Sequence, residues 1–219
     1  MAMLKAEPFD LAFDPATTAL VIIDMQRDFV LPGGFGEALG NDTSLLLSAV
    51  EPTRRVLEAA REKGIFVVHT REGHRPDLSD APPAKLHRGG KTFIGEQGPM
   101  GRILVRGEQG HDIVNQLYPI EGEPIIDKPG KGSFYATDLD LILTQRGIKT
   151  LIVCGVTLEV CVHTTVREAN DRGYESAVLS DCVASYFPEF QRVGLEMIKA
   201  QGGIFGWVSD SQSFIDAIS

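Results

Sequence analysis

The sequence is poor in cysteine, poor in basic residues and free of long apolar runs. Its 219 residues include three cysteines, Cys154, Cys161 and Cys182. Their small number and irregular spacing exclude a disulfide framework, and no paired Cys-x-x-Cys motif is present to bind zinc. We therefore expect a reducing, cytoplasmic environment.

Acidic residues outnumber basic ones. Lysine and arginine total 21, aspartate and glutamate total 30, and the formal net charge is −9 at pH 7. Nucleic acids and anionic membrane surfaces bind proteins through basic patches, so neither is expected as a partner. No apolar run approaches the roughly 20 residues that span a bilayer, and residues 1–16 lack the apolar core of a signal peptide. The charge alone identifies no substrate.

Apolar segments alternate with amphipathic ones along the chain. Alternating strands and helices predict a parallel sheet with right-handed crossovers and helices on both faces. The predicted fold is therefore α/β: one doubly wound, Rossmann-like domain over residues 1–219, with a six-stranded parallel sheet and an irregular N-terminal extension at residues 1–18. The predicted strands lie at residues 19–25, 65–70, 123–128, 150–156, 175–181 and 202–208. The predicted helices lie at residues 43–63, 111–118, 137–145, 159–172 and 188–201, with another after residue 209.

Two glycine-rich segments, residues 26–40 and 129–133, are predicted to be loops. The first lacks the G-x-G-x-x-G spacing of a dinucleotide site, and the second lacks the G-x-x-x-x-G-K-[ST] spacing of a phosphate loop. Residues 71–110 are polar and long for a connection, which is typical of functional loops. Neither glycine-rich segment predicts a nucleotide cofactor.

Potential metal ligands are grouped after the second predicted strand. His69, Glu72 and His74 lie close together in the sequence, and His87 follows further along. A metal site needs three or four such ligands with convergent geometry. The spacing favours solvated loop residues, so we expect no metal and no other cofactor.

The most informative stretch is residues 150–165. It predicts an apolar strand, a sharp turn at Gly155 and a helix with Cys161 in its first turn. The free N–H groups and partial positive charge of a helix N-terminus stabilise a thiolate, the nucleophilic form of cysteine. Cys161 is therefore a candidate nucleophile. The alternative is a buried structural thiol, the commoner fate of a lone cysteine and the one assigned to Cys154.

Two charged residues close other strands of the predicted sheet. Asp24 ends the first strand and Lys128 ends the third. The carboxyl ends of parallel strands line one crevice, so Asp24, Lys128 and Cys161 converge if their strands are neighbours. A carboxylate can take the proton of a thiol, and a lysine beside both keeps the carboxylate ionised. The alternatives are a turn or helix-cap role for Asp24 and a solvated Lys128 beside Asp127.

Three motifs carry a family resemblance over residues 19–207. They are Val21 to Phe29, then Lys128 five residues before the segment Ser133 to Leu139, and then Gly155-Val156 followed by Cys161-Val162. With them the chain resembles the isochorismatase-like cysteine hydrolase superfamily, which includes nicotinamidases, N-carbamoylsarcosine amidase, ureidoacrylate amidohydrolase and biuret hydrolase. The resemblance implies Asp24 as base, Lys128 as its partner and Cys161 as nucleophile, with Lys131 as a rival for the lysine.

The resemblance also implies the geometry around the nucleophile. A cis peptide maps to Val156–Thr157, and the N–H groups of Thr157 and Cys161 would form the oxyanion hole. Two departures stand out. Many members have threonine and then asparagine or aspartate where this chain has Leu158 and Glu159. Metal-binding nicotinamidases have an aspartate and several histidines beyond the second strand; here only Glu72 and His74 fall near those positions, so the resemblance does not imply a required metal.

Residues 126–138 and 200–208 are most similar to the biuret hydrolase subfamily. There a glutamine and an aromatic residue bind substrate, which map to Gln201 and Phe29. A glutamine amide can both donate to and accept from a urea-like group. The alternatives are a helix C-terminal role for Gln201 before Gly202 and a core role for Phe29.

The resemblance implies hydrolysis of a C–N bond in a small ureido or carbamoyl compound through a thioester. Biuret, giving urea-1-carboxylate and ammonia, is the specific expectation; ureidoacrylate, N-carbamoylsarcosine and nicotinamide-like amides are alternatives. A non-thiol isochorismatase and a catalytically silent oligomeric binding protein remain open. Family members are usually oligomers, so a homo-oligomer, tetramer or dimer, is expected.

Overall fold

The computed structural model describes residues 1–86 and 94–219. Ten strands lie within these ranges: β1 (Ala2–Leu4), β2 (Leu11–Phe13), β3 (Thr18–Ile23), β4 (Phe66–Glu72), β5 (Gln97–Gly98), β6 (Gly101–Arg102), β7 (Ile125–Lys128), β8 (Thr150–Val156), β9 (Glu175–Ala184) and β10 (Trp207–Ser209). Six of them form a parallel sheet in the order β10-β9-β8-β3-β4-β7, which confirms the predicted α/β class.

The helices are mostly short. They are α1 (Arg27–Val30), α2 (Phe35–Ala38), α3 (Ser44–Leu47), α4 (Val50–Glu62), α5 (Pro83–Leu86), α6 (Leu139–Gln145), α7 (His163–Asp171), α8 (Pro188–Gly203) and α9 (Ser211–Ile218). A π-helical turn at Leu158–Val162 joins β8 to α7, and 3-10 turns lie at Pro15–Thr17 and Asn115–Leu117. Within the described ranges, no helix has the length and apolarity needed to cross a membrane.

The core lies on both faces of the sheet. Successive side chains of a strand point to opposite faces, and in β3 Leu20 and Ile22 join one apolar cluster while Val21 and Ile23 join the other. The first cluster contains buried residues of α4 and α9; the second contains residues of α6, α7 and α8. The sheet is therefore doubly wound, as predicted.

Several local predictions differ from the structure. Residues 1–18 are not irregular, because β1 and β2 pair antiparallel and bury Leu4, Leu11 and Phe13. The helix predicted at 111–118 is reduced to the 3-10 turn. The predicted loop 26–40 contains α1 and α2. The strand predicted at 202–208 begins only at Trp207, since Gly202 and Gly203 form the end of α8 with left-handed φ angles of 78° and 86°.

The strand order brings four strand ends together. β8, β3, β4 and β7 are consecutive neighbours in the sheet. Their register places Ile23 opposite Gly155 and Glu72 opposite Lys128. The residues that end or follow these four strands therefore meet at one edge of the sheet.

Candidate active site

The sheet edge carries a buried group of two carboxylates, a lysine and a thiol. Asp24, Glu72 and Cys161 each place one ligand atom within 4.8 Å of the others. The Lys128 ammonium lies 2.7 Å from Asp24 Oδ2. All four residues are buried. The structure thus brings together the three residues predicted to converge and adds Glu72.

Asp24 is held by β4 and β7. Its φ angle is 51°, in the left-handed region, and its N–H donates to the carbonyl of Thr70 at 3.2 Å. The Thr70 hydroxyl donates to Asp24 Oδ1 at 2.6 Å, while Oδ2 takes the ion pair with Lys128. One oxygen therefore fixes the orientation of the carboxylate and the other faces a cation.

Lys128 is a buried ammonium with three partners. It pairs with Asp24, and its Nζ donates to the carbonyls of Gly130 at 3.0 Å and Lys131 at 2.9 Å. Burial alone would lower the pKa of Lys128, but the negative charges of Asp24 and Glu72 and the ion pair with Asp24 raise it above the ordinary value. Lys131, the rival candidate, pairs with Glu72 instead.

Glu72 is the site residue that the sequence interpretation missed. It is fully buried, and its carboxylate lies 2.7 Å from Lys131 Nζ, 3.0 Å from Lys85 Nζ and 4.0 Å from Lys128 Nζ. Burial would raise the pKa of Glu72, but these three ammonium groups lower it to about 2. The expectation of a solvated loop residue was wrong, because β4 continues two residues beyond its predicted end.

A glutamine fixes the end of β4. The N–H of Glu72 donates to Gln26 Oε1 at 2.7 Å, and Gln26 Nε2 donates to the carbonyl of Glu72 at 2.9 Å. Gln26 Nε2 also donates to the carbonyl of His111. The segment after Asp24 and the end of β4 are therefore tied together, which positions Glu72 beside the thiol.

The nearby histidines are buried rather than solvated, but each pairs with a carboxylate other than Asp24 or Glu72. His69 Nε2 is 2.9 Å from Glu123 Oε2, and His74 Nδ1 is 3.2 Å from Asp80 Oδ1. Among the described residues, the close set of metal-ligand types is Asp24, Glu72 and Cys161. The lysines around Glu72 would repel a cation from that set. His87 lies outside the described residues.

Cys161 lies in the π-helical turn, ahead of the start of α7. Its thiol donates to Glu72 Oε2 at 3.4 Å. Burial raises the pKa of the Cys161 thiol well above its ordinary value; Lys128 opposes this shift, and Asp24 and Glu72 reinforce it. The resting thiol is therefore protonated, in contrast to the thiolate expected from a helix N-terminus, and a base is needed for attack.

The backbone ahead of Cys161 has the predicted unusual geometry. The Val156–Thr157 peptide is cis. Thr157 and Cys161 both line the same cavity, and the oxyanion-hole role of their N–H groups stays a prediction. A hydrogen-bond chain fixes the following helix: Thr165 Oγ1 donates to the carbonyl of Cys161 at 2.7 Å, and the N–H of Ser133 donates to Thr165 Oγ1 at 3.1 Å.

The cavity at the thiol has a volume of about 170 Å³, which suits a small ligand. Phe29 lines it and is buried, with its ring 5.9 Å from that of Phe35 in an edge-to-face arrangement. Gln201 is not brought to the thiol within this chain. It is exposed near the end of α8 with φ 53°, and it is not among the residues that line the cavity.

Comparison with known proteins identifies the family. The family model described as "Isochorismatase domain" matches residues 18–213. The chain belongs to the isochorismatase-like cysteine hydrolase superfamily. This membership makes the chain a hydrolase, in a superfamily that includes amidases.

Solved structures agree with this assignment. A cysteine hydrolase from Pseudomonas syringae pv. phaseolicola 1448A is 28% identical with a TM-score of 0.81, covering 100% of this chain and 97% of its own. An isochorismatase family protein from Desulfovibrio vulgaris is 29% identical with a TM-score of 0.75, covering 91% and 97%. N-carbamoylsarcosine amidase from Thermoplasma acidophilum is 26% identical with a TM-score of 0.69, covering 89% and 96%.

Proposed function

We propose that this protein is a cysteine-dependent amidohydrolase that cleaves a C–N bond in a small ureido or carbamoyl compound. The observation that carries the proposal is the Cys161 thiol at a small cavity, with Asp24 within reach and Lys128 paired to that carboxylate. A nucleophile, a base and a group that orients the base are the minimum set for covalent catalysis.

The mechanism follows from the protonated resting thiol. Asp24 takes the Sγ proton as the thiolate attacks the substrate carbonyl carbon, and the N–H groups of Thr157 and Cys161 stabilise the oxyanion. Collapse of the tetrahedral intermediate breaks the C–N bond, and Asp24 returns the proton to the leaving nitrogen. Water, deprotonated by Asp24, then hydrolyses the thioester and regenerates the thiol.

Glu72 serves a different role in this scheme. Its pKa of about 2 makes Glu72 a weak base at neutral pH. In the resting state it accepts a hydrogen bond from the thiol but does not take the proton. The hydrogen bond to Glu72 Oε2 orients Sγ. Glu72 is therefore a positioning residue for the nucleophile.

The proposed substrate is biuret, converted to urea-1-carboxylate and ammonia. The support is the resemblance of residues 126–138 and 200–208 to the biuret hydrolase subfamily, the cavity volume of about 170 Å³, and the place of Phe29 in its wall. The structural similarity to an N-carbamoylsarcosine amidase supports the wider amide class and makes carbamoyl amino acids the second candidate.

Ammonia release from a panel of biuret, ureidoacrylate, N-carbamoylsarcosine and nicotinamide tests the proposal. We expect Cys161→Ser to lose at least about a thousand-fold in kcat/KM on the preferred substrate, as for other covalent nucleophiles. Cys154→Ser and Cys182→Ser are matched controls, because both thiols are buried in the apolar core away from the cavity. They should retain activity in proportion to the folded protein.

Three results would contradict the proposal. Full activity in the Cys161→Ser protein would exclude a thioester. Wild-type activity on isochorismate alone would indicate a non-thiol isochorismatase. Tight binding of a panel compound without ammonia release would indicate a binding protein.

A further inference from the structure

Glu159 lies between two cavities. It lines the cavity at Cys161 and also an outer cavity of about 270 Å³ between α7 and α8. The proposed mechanism leaves this carboxylate without a role. It also stands at a position where the chain departs from the pattern of many family members.

One oxygen of Glu159 has no partner in the protein. Among the residues that the structure describes, Glu159 Oε2 is buried and makes no hydrogen bond. Glu72, the other carboxylate lining the cavity at Cys161, is fully engaged: Oε1 pairs with Lys131 and Lys85, and Oε2 accepts from Cys161. A buried acceptor without a donor is destabilising, so such a group accepts a hydrogen bond when water or a ligand can supply one.

Arg167, the cation that shares the outer cavity with Glu159, contacts other residues. Arg167 lines that cavity, but its Nε donates to His163 Nδ1 at 3.0 Å. Its guanidinium carbon lies 4.0 Å from the ring centroid of Phe205. Arg167 is therefore held by His163 and Phe205, and the Glu159 side chain lines the cavity of the nucleophile.

We propose that Glu159 determines substrate specificity by accepting an N–H from the part of the substrate beyond the scissile amide. The chemistry selects a neutral compound rich in N–H donors, such as a ureide with a terminal carbamoyl group. It disfavours a carbamoyl amino acid, because a second carboxylate would lie beside Glu159 and repel it. The inference rests on the proposed function and chooses between its two candidate substrate classes.

The test compares biuret with N-carbamoylglycine, which carries a carboxylate. In Glu159→Gln, the charge is removed with little change in shape. We expect kcat/KM for biuret to fall about 10-fold, mainly through KM, because the neutral amide oxygen of glutamine accepts a hydrogen bond more weakly than a carboxylate does. We expect kcat/KM for N-carbamoylglycine to be unchanged or higher. Glu189→Gln, an exposed glutamate of α8 paired with Arg192, is the matched control and should keep the wild-type ratio.

Binding without turnover separates this inference from the proposed function. In a Cys161→Ala background, calorimetric titration with both compounds should show a preference for biuret that Glu159→Gln abolishes. If that preference is present but the wild-type protein releases no ammonia, the proposed function fails and the specificity role stands. An unchanged ratio in Glu159→Gln, or an equal loss on both compounds with an altered unfolding midpoint, would overturn the specificity role.

Discussion

At the scale of single residues, the site is a set of charges with one cation in excess, and its two carboxylates and Lys128 are buried. Asp24 and Glu72 supply two negative charges, and Lys85, Lys128 and Lys131 supply three positive ones. With the thiol protonated, the set carries a net positive charge. A thiolate or an oxyanion formed during the reaction would neutralise it. Fixed charges aimed at a developing anion are an effective form of catalysis in a cavity largely removed from water.

The pairing of Glu72 with lysines predicts acid sensitivity of the fold. The pKa of Glu72 is about 2 in the folded protein, against an ordinary value of 4.5 that applies to the unfolded chain. A carboxyl with a lowered pKa stabilises the fold above its unfolded pKa, and this stability is lost as the pH falls towards the folded pKa. The free energy of unfolding should therefore lose about 2 kcal/mol through Glu72 between pH 6 and pH 3.

Urea unfolding over that pH range checks this expectation. Glu72→Gln should show a shallower dependence of the unfolding free energy on pH than the wild-type protein. Glu62→Gln, which changes an exposed glutamate of α4, is the control and should follow the wild-type slope. Equal slopes for Glu72→Gln and the wild-type protein would contradict the lowered pKa.

The sequence predicted the strand-end residues but not their partner. Asp24, Lys128 and Cys161 were found because each closes or follows an apolar run. Glu72 follows Arg71, and two charged residues in succession are typical of a loop. Their burial depends on distant partners: Arg71 pairs with Asp127, and Glu72 pairs with lysines 13 and 59 positions further along the chain. A local pattern cannot show such partners, because they meet only in the folded sheet.

At the scale of elements, the close approach of β3 and β8 requires a glycine. Gly155 has φ 124°, and a Cβ built there would lie 2.1 Å from the carbonyl oxygen of Ile23. The register between β8 and β9 also shifts between Val153 and Gly155. This local distortion turns the chain from β8 into the segment that carries Cys161.

Gly155→Ala should therefore destabilise the protein strongly. The added methyl group meets a backbone oxygen that cannot move without disturbing β3, so we expect a loss of more than about 3 kcal/mol. Gly147→Ala is the matched control, since Gly147 has φ 66° and a Cβ there meets nothing within 4 Å. It should lose only about 1 kcal/mol. Chemical denaturation of both variants measures the difference, and similar losses would show that the close approach is unimportant.

Prediction of the elements succeeded where the pattern was uniform. Residues 150–156 are all buried, and β8 has the predicted bounds. The predicted helix at 159–172 begins instead as the π-helical turn Leu158–Val162. Apolar periodicity does not distinguish a π-helical turn from an α-helical one over so few residues.

At the scale of the whole molecule, the alternation of strands and helices predicted the fold class but not the strand order. β8 lies between β3 and β9, and its pairing with β3 joins segments more than 100 residues apart in the sequence. That order decides which strand ends meet, and so it decides the site. The predicted convergence of Asp24, Lys128 and Cys161 therefore depended on which strands are neighbours in the sheet, and only the structure shows that order.

The expected homo-oligomer remains a proposal, supported by the surface of α8. Phe190, Val193 and Met197 of α8 are between 36% and 48% exposed and follow each other at spacings of three and four residues, and the exposed Phe187 immediately precedes the helix. This spacing places Phe190, Val193 and Met197 on one face of the helix. Contiguous apolar patches of this kind commonly mark protein interfaces, so we expect this α8 face to pack against a second copy of the chain.

Light scattering coupled to size-exclusion chromatography tests the role of the α8 face. The wild-type protein should elute with a multiple of the chain mass, and Met197→Glu should shift it towards a single chain, because an interface cannot bury an unpaired carboxylate without a large loss of affinity. Leu141→Glu on α6 places the same charge at an exposed apolar residue outside this face and should keep the wild-type mass. A monomeric wild-type protein, or an unchanged mass in Met197→Glu, would contradict the assignment. Since Phe187 also lines the cavity at Cys161, dissociation should raise KM for the preferred substrate as well.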